Sequence, residues 1–495
     1  TVYPFKRLGS EFMPTLYEGS LMFMTATFPG VSVTKIGELL QTTDRIIKSF
    51  PEVAQVFGKV GRAQTATDPA PLEMFEMTIN LKPEDQWRPG MTVDKLVQEM
   101  SAALEMPGIP IQWSMPIKNR VDMLATGIRT PVGVKVFGKD LNTIERLATE
   151  IESVLKSVPG TASAYAERII GGYYVDIEIK REEAARYGLK VEDIQQVIMS
   201  AIGGENVTTT VEGLERYPVN VRYKRELREN IDDLSRIPIP TMMGQYIPLA
   251  QVADIRLSKG VAGIKTENAL LNTWVYVDVQ GRDIGGYAAD AQKAVLRKVK
   301  FPPGYYVTWS GQYEYMERAY GRLKVIVPLT LTVIFLLLYL NFGNITETLI
   351  VMLSLPFALV GGVWLMYLLG YNMSIAVGVG FIALAGVAAE TGVVMLIYLD
   401  HAYQKRCSRN EVLNVKDIYE AVMEGAVERV RPKMMTVVAI MAGLLPIMWG
   451  TGTGSEVMKR IAAPMVGGMV SSTILTLVVI PAIYALWRGW RLKKG

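Results

Sequence analysis

The side chains with the most chemical reach in this sequence are thioethers. Twenty-six methionines stand against a single histidine, His401, and a single cysteine, Cys407. A thioether is neutral and soft, prefers Cu(I) and Ag(I) to hard or borderline divalent ions, and needs no deprotonation to bind or release. Zinc takes His, Cys and carboxylate ligands, and one His with one Cys hardly supplies such a site. A lone cysteine also excludes an intrachain disulfide. A second position with chemistry is Glu390, the only acid between Thr348 and Leu399, flanked by small residues in AGVAAETG. A charge inside an apolar helix must be paired, protonated or hydrated, and desolvation favours its proton-bound form. Glu390 is therefore a candidate proton carrier. Lys433, in RPKMMTV, could pair with it, although together with Arg429 and Arg431 it also fits a cytoplasmic basic cluster. No Walker A, HExxH, CxxC or nucleophile-elbow pattern occurs, so an enzyme is not indicated.

These residues sit on two different kinds of chain. Half of the sequence is hydrophobic, yet mean hydropathy is only +0.21, as expected when a soluble and a membrane part are averaged. Residues 1–322 carry charges throughout; from Val325 long stretches carry none. A helical crossing needs about 20 apolar residues. Five such spans are predicted: Val325 to Phe342, two helices across Thr348 to Leu399 with a turn at Gly370-Tyr371-Asn372, Met434 to Trp449, and Ile461 to Trp487. Prolines 328, 356, 446, 464 and 481 fall within or at the ends of these spans, where neighbouring groups satisfy the freed carbonyls. Lys405, Arg406, Arg409, Lys416, Arg429, Arg431 and Lys433 follow the third span, and Arg488, Arg491, Lys493 and Lys494 follow the fifth. Basic residues mark the cytoplasmic side, so residues 1–322 are expected in the periplasm and the chain in a bacterial inner membrane, crossing several times. The net charge of +4 is mild and no basic block occurs in the soluble part, so nucleic acid is not an expected partner. The chain opens at Thr1 without a signal-peptide pattern, which suggests a fragment, or one half of a duplicated protein, cut just after an upstream membrane helix.

The soluble part alternates strand, helix and strand. Ser20 to Phe28 reads as a strand, Val33 to Ser49 has helical spacing, Met74 to Leu81 alternates as a strand does, and Val93 to Leu104 is helical again. Val132 to Phe137 and Leu141 to Val158 open a second, similar unit, and Trp274 to Trp309 closes it. The segments IIKSFPEV and VLKSVPGT match each other at the ends of two predicted helices, a weak internal repeat. The expected class is α+β: a periplasmic porter domain of ferredoxin-like βαβ subdomains followed by an all-α membrane domain of five helices. The expected division is 1–170 for the porter subdomains with the metal-binding cleft, 171–265 for an inserted docking-type subdomain, 266–322 for the remainder of the second porter subdomain with a lead-in helix, and 323–495 for the membrane domain.

The segments EFMPTLYEG, ATDPAPLEM, RVDMLATGIRTPVGVKVFG, PFALVGG, GFIALAGVAAETGVVML, RVRPKMMTV and GLLPIMWGTGTGSEVMKRIAAPM resemble the resistance-nodulation-division transporters. The resemblance is to their heavy-metal branch, the copper/silver pumps of the CusA/SilA type, and covers essentially the whole chain. It implies the C-terminal half of a proton-driven exporter of Cu(I) or Ag(I), a cation/proton antiporter with no permanent cofactor. Implied partners are the missing N-terminal half, two further copies in a homotrimer, a periplasmic adaptor and an outer-membrane channel, with the lipid bilayer around the helices. The metal ligands implied are Met24, Met74 and Met123; Met22 and Met77 are expected to be packing. Charged residues implied in the cleft are Glu18, Glu76, Arg120 and Arg129, the last standing where a lysine is expected. Met458, in GSEVMKR, is implied as a step in a metal relay, and Glu390 with Lys433 as the proton relay. Asn206 stands where a relay methionine is expected, so the full set of relay steps is incomplete here. Methionine also fills irregular cores, and a pump for divalent cations or organic compounds, or an inactive half, are the competing possibilities.

Overall fold

The computed structural model describes residues 1–14, 16–27, 29–61, 73–261, 263–409 and 414–492. Most of the segment ATDPAPLEM, Phe28 of the first expected strand, and the tail lysines Lys493 and Lys494 lie outside the described residues.

Alternating apolar residues build the first sheet from β1 (Ser20–Ala26), β2 (Val53–Val60), β3 (Met74–Leu81) and the short β4 (Trp113–Ser114). Helix α1 (Val33–Lys48) links β1 to β2, and α2 (Val93–Ala103) links β3 to β4. The strand order is β2-β3-β1-β4, antiparallel throughout. Each helix starts where the sequence offers a side-chain acceptor. Ser32 accepts from the Lys35 N–H and Thr92 from the Lys95 N–H, satisfying donors that the first turn leaves free. One face of the sheet is a dry core. Phe23, Phe75, Met77 and Ile79 are completely buried, as are Ile36 and Ile47 of α1 and Leu96 and Met100 of α2. The opposite face carries Met22, Met24, Ala26, Met74, Glu76 and Thr78, because partners across an antiparallel pair share a face.

After α3 (Pro116–Thr126), the pattern repeats with β5 (Val132–Gly138), α4 (Leu141–Lys156), β6 (Thr161–Ala166), β7 (Leu270–Val279), α5 (Ile284–Lys298) and β8 (Tyr306–Gly311). β7 lies between β6 and β5, and β5 pairs β8, so the order of the first sheet recurs. A short strand, Lys265–Glu267, also pairs with β7. The repeated segments IIKSFPEV and VLKSVPGT occupy equivalent places, at the ends of α1 and α4. In each the serine hydroxyl donates back to a carbonyl of the last turn, Ser49 to Ile46 and Ser157 to Val154, before proline stops the helix.

Residues 168–264, with 28–31, form a separate compact unit between β6 and β7 in the chain. Strands Ile170–Ile179 and Ala253–Val261 pair antiparallel within it, and Ile194, Leu234, Ile239, Leu249 and Val252 fill its core. Its hairpin, Glu205–Glu212 and Glu215–Val221, is exposed along its whole length and carries Asn206.

Among the described residues five helices are long and apolar enough to cross a membrane: α6 (Gln312–Phe342), α7 (Ile345–Leu369), α8 (Ile375–Ser408), α9 (Val415–Trp449) and α10 (Ser455–Leu492). They extend past the apolar windows. α6 begins at Gln312, making the lead-in segment and first span one helix, and the basic residues after the third span lie mostly on the ends of α8 and α9. The turn expected at Gly370 is present, with Gly370 in the left-handed region at φ 66°. The small-residue pairs serve close packing. A Cβ on Gly361 would run into the Gly467 carbonyl, and one on Gly467 into that of Gly361. Ser471 Oγ adds a hydrogen bond to the Ala358 carbonyl at 2.6 Å. At one end Arg488 of α10 holds Asp400 of α8 at 2.5 Å and Glu347 of α7 at 3.5 Å, tying three helices.

Candidate metal centre

Three chain segments far apart in sequence converge on the polar-facing side of the first sheet. Met24 lies on β1 and Met74 on β3, offset by one pair, since Met24 faces Glu76 and Met74 faces Ala26. Met22, Met24 and Met74 form one buried cluster, and Met123 of α3 packs against it. Met22, expected as packing, packs within this cluster. Met77 sits on the other face in the dry core.

Helix α3 presents Met123 through its own periodicity. Asn119, Asp122 and Thr126 are buried, whereas Ile117, Arg120, Val121 and Leu124 are exposed. Pro116 opens the helix and Gly127, at φ 77°, closes it. No side chain of the residue before Pro116 caps it. Glu18 does so instead: the Ile117 and Lys118 N–H groups donate to its Oε2 and Oε1 at 2.8 Å each. A carboxylate there also meets the positive end of the helix dipole.

Among the described residues, a small set of polar groups stands around the sulfurs. Asn119 Nδ2 lies 3.7 Å from Met24 Sδ and 3.3 Å from Met123 Sδ. Arg129 donates from Nη1 to Met74 Sδ at 2.7 Å and from Nε to Gln112 Oε1 at 2.9 Å, and stacks over Tyr276 at 4.5 Å. Burial, and secondarily Glu167, push the Tyr276 phenol up, so it stays neutral beneath the guanidinium. Glu76 pairs with Lys59 at 3.1 Å, and Arg120 is exposed. Beside the cluster, Asp122 accepts from Lys118 at 2.5 Å and from Gln312 at 3.3 Å. Burial pushes the nearby Asp278 up to about 6 against the opposing effects of the Val279 backbone N–H and Lys118. Among the described residues no three His, Cys, Asp or Glu side chains are grouped so as to hold an ion.

The remaining expected residues lie in the helical part. Met458 is half exposed on the first turn of α10. Lys433 of α9 is completely buried, with Nζ 3.5 Å from Ser472 Oγ. Glu390 on α8 is exposed on the helical surface and within electrostatic reach of Lys433. The direct pair expected between them is not among the ion pairs of the described residues, because Lys433 turns inward to α10 while Glu390 turns outward.

A mixed α/β body with a buried methionine cluster is followed, among the described residues, by five helices long and apolar enough to cross a membrane. The chain belongs to the AcrB/AcrD/AcrF family, whose model matches residues 1–488. It is 54% identical to a putative cation efflux system protein SilA of Salmonella typhimurium, over 100% of this chain and 47% of the relative. It is 52% identical to the cation efflux system protein CusA of Escherichia coli K12, over 98% and 46%, and 37% identical to the cobalt-zinc-cadmium resistance protein CzcA of Cupriavidus metallidurans, over 97% and 45%. A crystal structure of a heavy metal efflux pump superposes with a TM-score of 0.88 at 31% identity, covering 98% of this chain and 48% of that one. The chain therefore spans about half the length of the relatives it matches, and it is of the CusA/SilA type of heavy-metal resistance-nodulation-division proteins.

Proposed function

We propose that this chain is the C-terminal half of a proton-driven exporter of the monovalent soft cations Cu(I) and Ag(I). In this reading it lies in the bacterial inner membrane with residues 1–322 in the periplasm. It works with an N-terminal half, as a homotrimer joined to a periplasmic adaptor and an outer-membrane channel. The observation that carries the substrate class is the convergence of Met24, Met74 and Met123 from three elements, the first two buried in one cluster and Met123 packed against it. Neutral thioethers select soft d¹⁰ ions and reject hard ones. The relatives named as cation efflux system proteins support export. The recurring strand order supports the ferredoxin-like description of the two porter subdomains, with residues 171–265 as the inserted docking-type one. Glu390 and Lys433 serve as proton-relay members and Met458 as a metal-relay step; Glu18, Glu76, Arg120 and Arg129 are the charged residues of the cleft.

The likeness to CzcA favours one second reading, a divalent-cation pump. Titration of the purified chain with Ag(I) and with Zn(II) separates the two. Ag(I) should bind, and Met74→Ala should weaken it by more than about tenfold, or about 1.4 kcal/mol. Unchanged Ag(I) binding by that variant, or tight Zn(II) binding by the parent, defeats the soft-metal assignment.

A further inference from the structure

Three thioethers bring no charge to a bound cation, so an ion among them keeps its full positive charge inside a buried site. Arg129 beside Met74 adds a second positive charge rather than a counter-charge. Burying an uncompensated charge is costly unless neighbouring dipoles replace its hydration. Asn119 is 3% exposed, its Nδ2 reaches the sulfurs of both Met24 and Met123, and its Oδ1 is buried with no hydrogen-bond partner. A buried amide oxygen left without a donor costs about 1–3 kcal/mol, which calls for a reason. The other orphaned amide atom nearby, Gln112 Nε2, is a donor and has the wrong polarity for a cation.

We propose that Asn119 is a metal-site residue with two roles: its Nδ2 sets the spacing of the Met24 and Met123 sulfurs, and its Oδ1 turns to the soft cation they bind. This rests on the methionine reading above. The two ends of a primary amide have nearly the same shape, so half a turn about the last side-chain torsion exchanges donor for acceptor without repacking. Before the cation binds, the N–H groups hold the two sulfurs in place; the half-turn releases the sulfur lone pairs to the metal as the oxygen takes the place of Nδ2. Turning the oxygen inward gives it the cation as a partner, and the attraction of the amide dipole for that charge offsets the sulfur contacts that Nδ2 gives up. A thioether site thereby acquires the partial negative charge it lacks, without a carboxylate that would hold the ion too tightly for export.

The test is Ag(I) titration of the purified full chain across pH 4.5 to 7.5, comparing the parent with Asn119→Asp, Asn119→Leu and Met123→Ala. Thioethers and amides do not titrate, whereas a carboxylate ligand makes metal affinity depend on pH. Asn119→Asp should bind Ag(I) about 10–100-fold more tightly at pH 7.5, with the gain falling as the pH drops, and Asn119→Leu should bind about 10–100-fold more weakly. The charged groups on and around α3 (Glu18, Glu76, Lys118, Asp122 and Arg129) are common to all the proteins, so the difference from the parent reports position 119. If Asn119→Asp shows the parent's affinity and pH profile while Met123→Ala loses binding, the inference is overturned and the methionine site stands. If Met123→Ala binds as the parent does, the methionine site itself fails. Should Asn119→Leu misfold by circular dichroism before Ag(I) is added, the profile of Asn119→Asp decides alone.

Discussion

The Arg129 guanidinium donates to the Met74 sulfur at 2.7 Å, so a fixed positive charge sits against an atom expected to hold a cation. Two unit charges about 4 Å apart repel by about 4 kcal/mol at an effective dielectric constant of 20. Removing the charge should therefore tighten Ag(I) binding. The same change breaks the bond to Gln112 and the stack on Tyr276, worth about 1 kcal/mol each. Arg129→Gln is predicted to raise Ag(I) affinity by about tenfold or more while lowering the unfolding temperature. A variant weaker in both would make Arg129 a supporting residue only.

Met22 and Met77 separate by face. Met77 is completely buried in the dry core, and Met22 shares the cluster with Met24 and Met74. Met77→Ala should cost about 2–5 kcal/mol of stability and leave Ag(I) affinity intact. Met22→Ala should lower Ag(I) affinity several-fold with a smaller loss of stability. Thermal unfolding and silver titration on the same preparations measure both.

That contrast shows where a sequence is informative. Strict alternation along β1 and β3 already puts Met22 beside Met24 and Met77 opposite Met74, so treating the two alike overlooks a period-2 signal. Asn119 is similarly legible once Met123 is chosen, since it lies four residues earlier on the same helical face. The five apolar spans and the Gly370 turn follow from composition. Glu18 does not: its partners Ile117 and Lys118 are about a hundred positions away, and no local pattern reports which helix end a distant carboxylate will cap. The orientation of Lys433 is equally hidden. Positive charges near a membrane boundary look alike in sequence, and only the packing of α9 on α10 turns this one inward to Ser472.

Glu390 lies on the exposed side of α8 in this chain, within electrostatic reach of Lys433 but not bonded to it. A proton carrier needs to gain and lose charge; an isosteric amide does neither. Glu390→Gln in the complete pump, with its N-terminal half supplied, is predicted to abolish silver tolerance while membrane insertion and trimer formation continue. Full tolerance in cells expressing that variant at parental levels removes Glu390 from the relay.

Asp278 should make the mixed α/β part sensitive to pH in an unusual direction. Burial raises its folded-state pKa to about 6, above the value of about 3.9 for an unperturbed aspartate. The folded chain therefore holds this proton more tightly than the unfolded chain does. By linkage, the stability that Asp278 contributes is complete below about pH 4, falls as the pH rises through about 6, and stays lost above it. Asn mimics the protonated form in shape and charge. Asp278→Asn is accordingly predicted to stabilise the protein at pH 7.5 by on the order of 2–3 kcal/mol, with the gain shrinking towards pH 4. Lys118 offsets part of the cost of the ionised form, so Lys118→Met should extend the drop to pH values above about 6. The measurement is the unfolding midpoint of parent and variants at closely spaced pH values. A constant gain for Asp278→Asn across the range would mean that the carboxyl binds its proton equally in the folded and unfolded chain, and that burial does not raise its pKa.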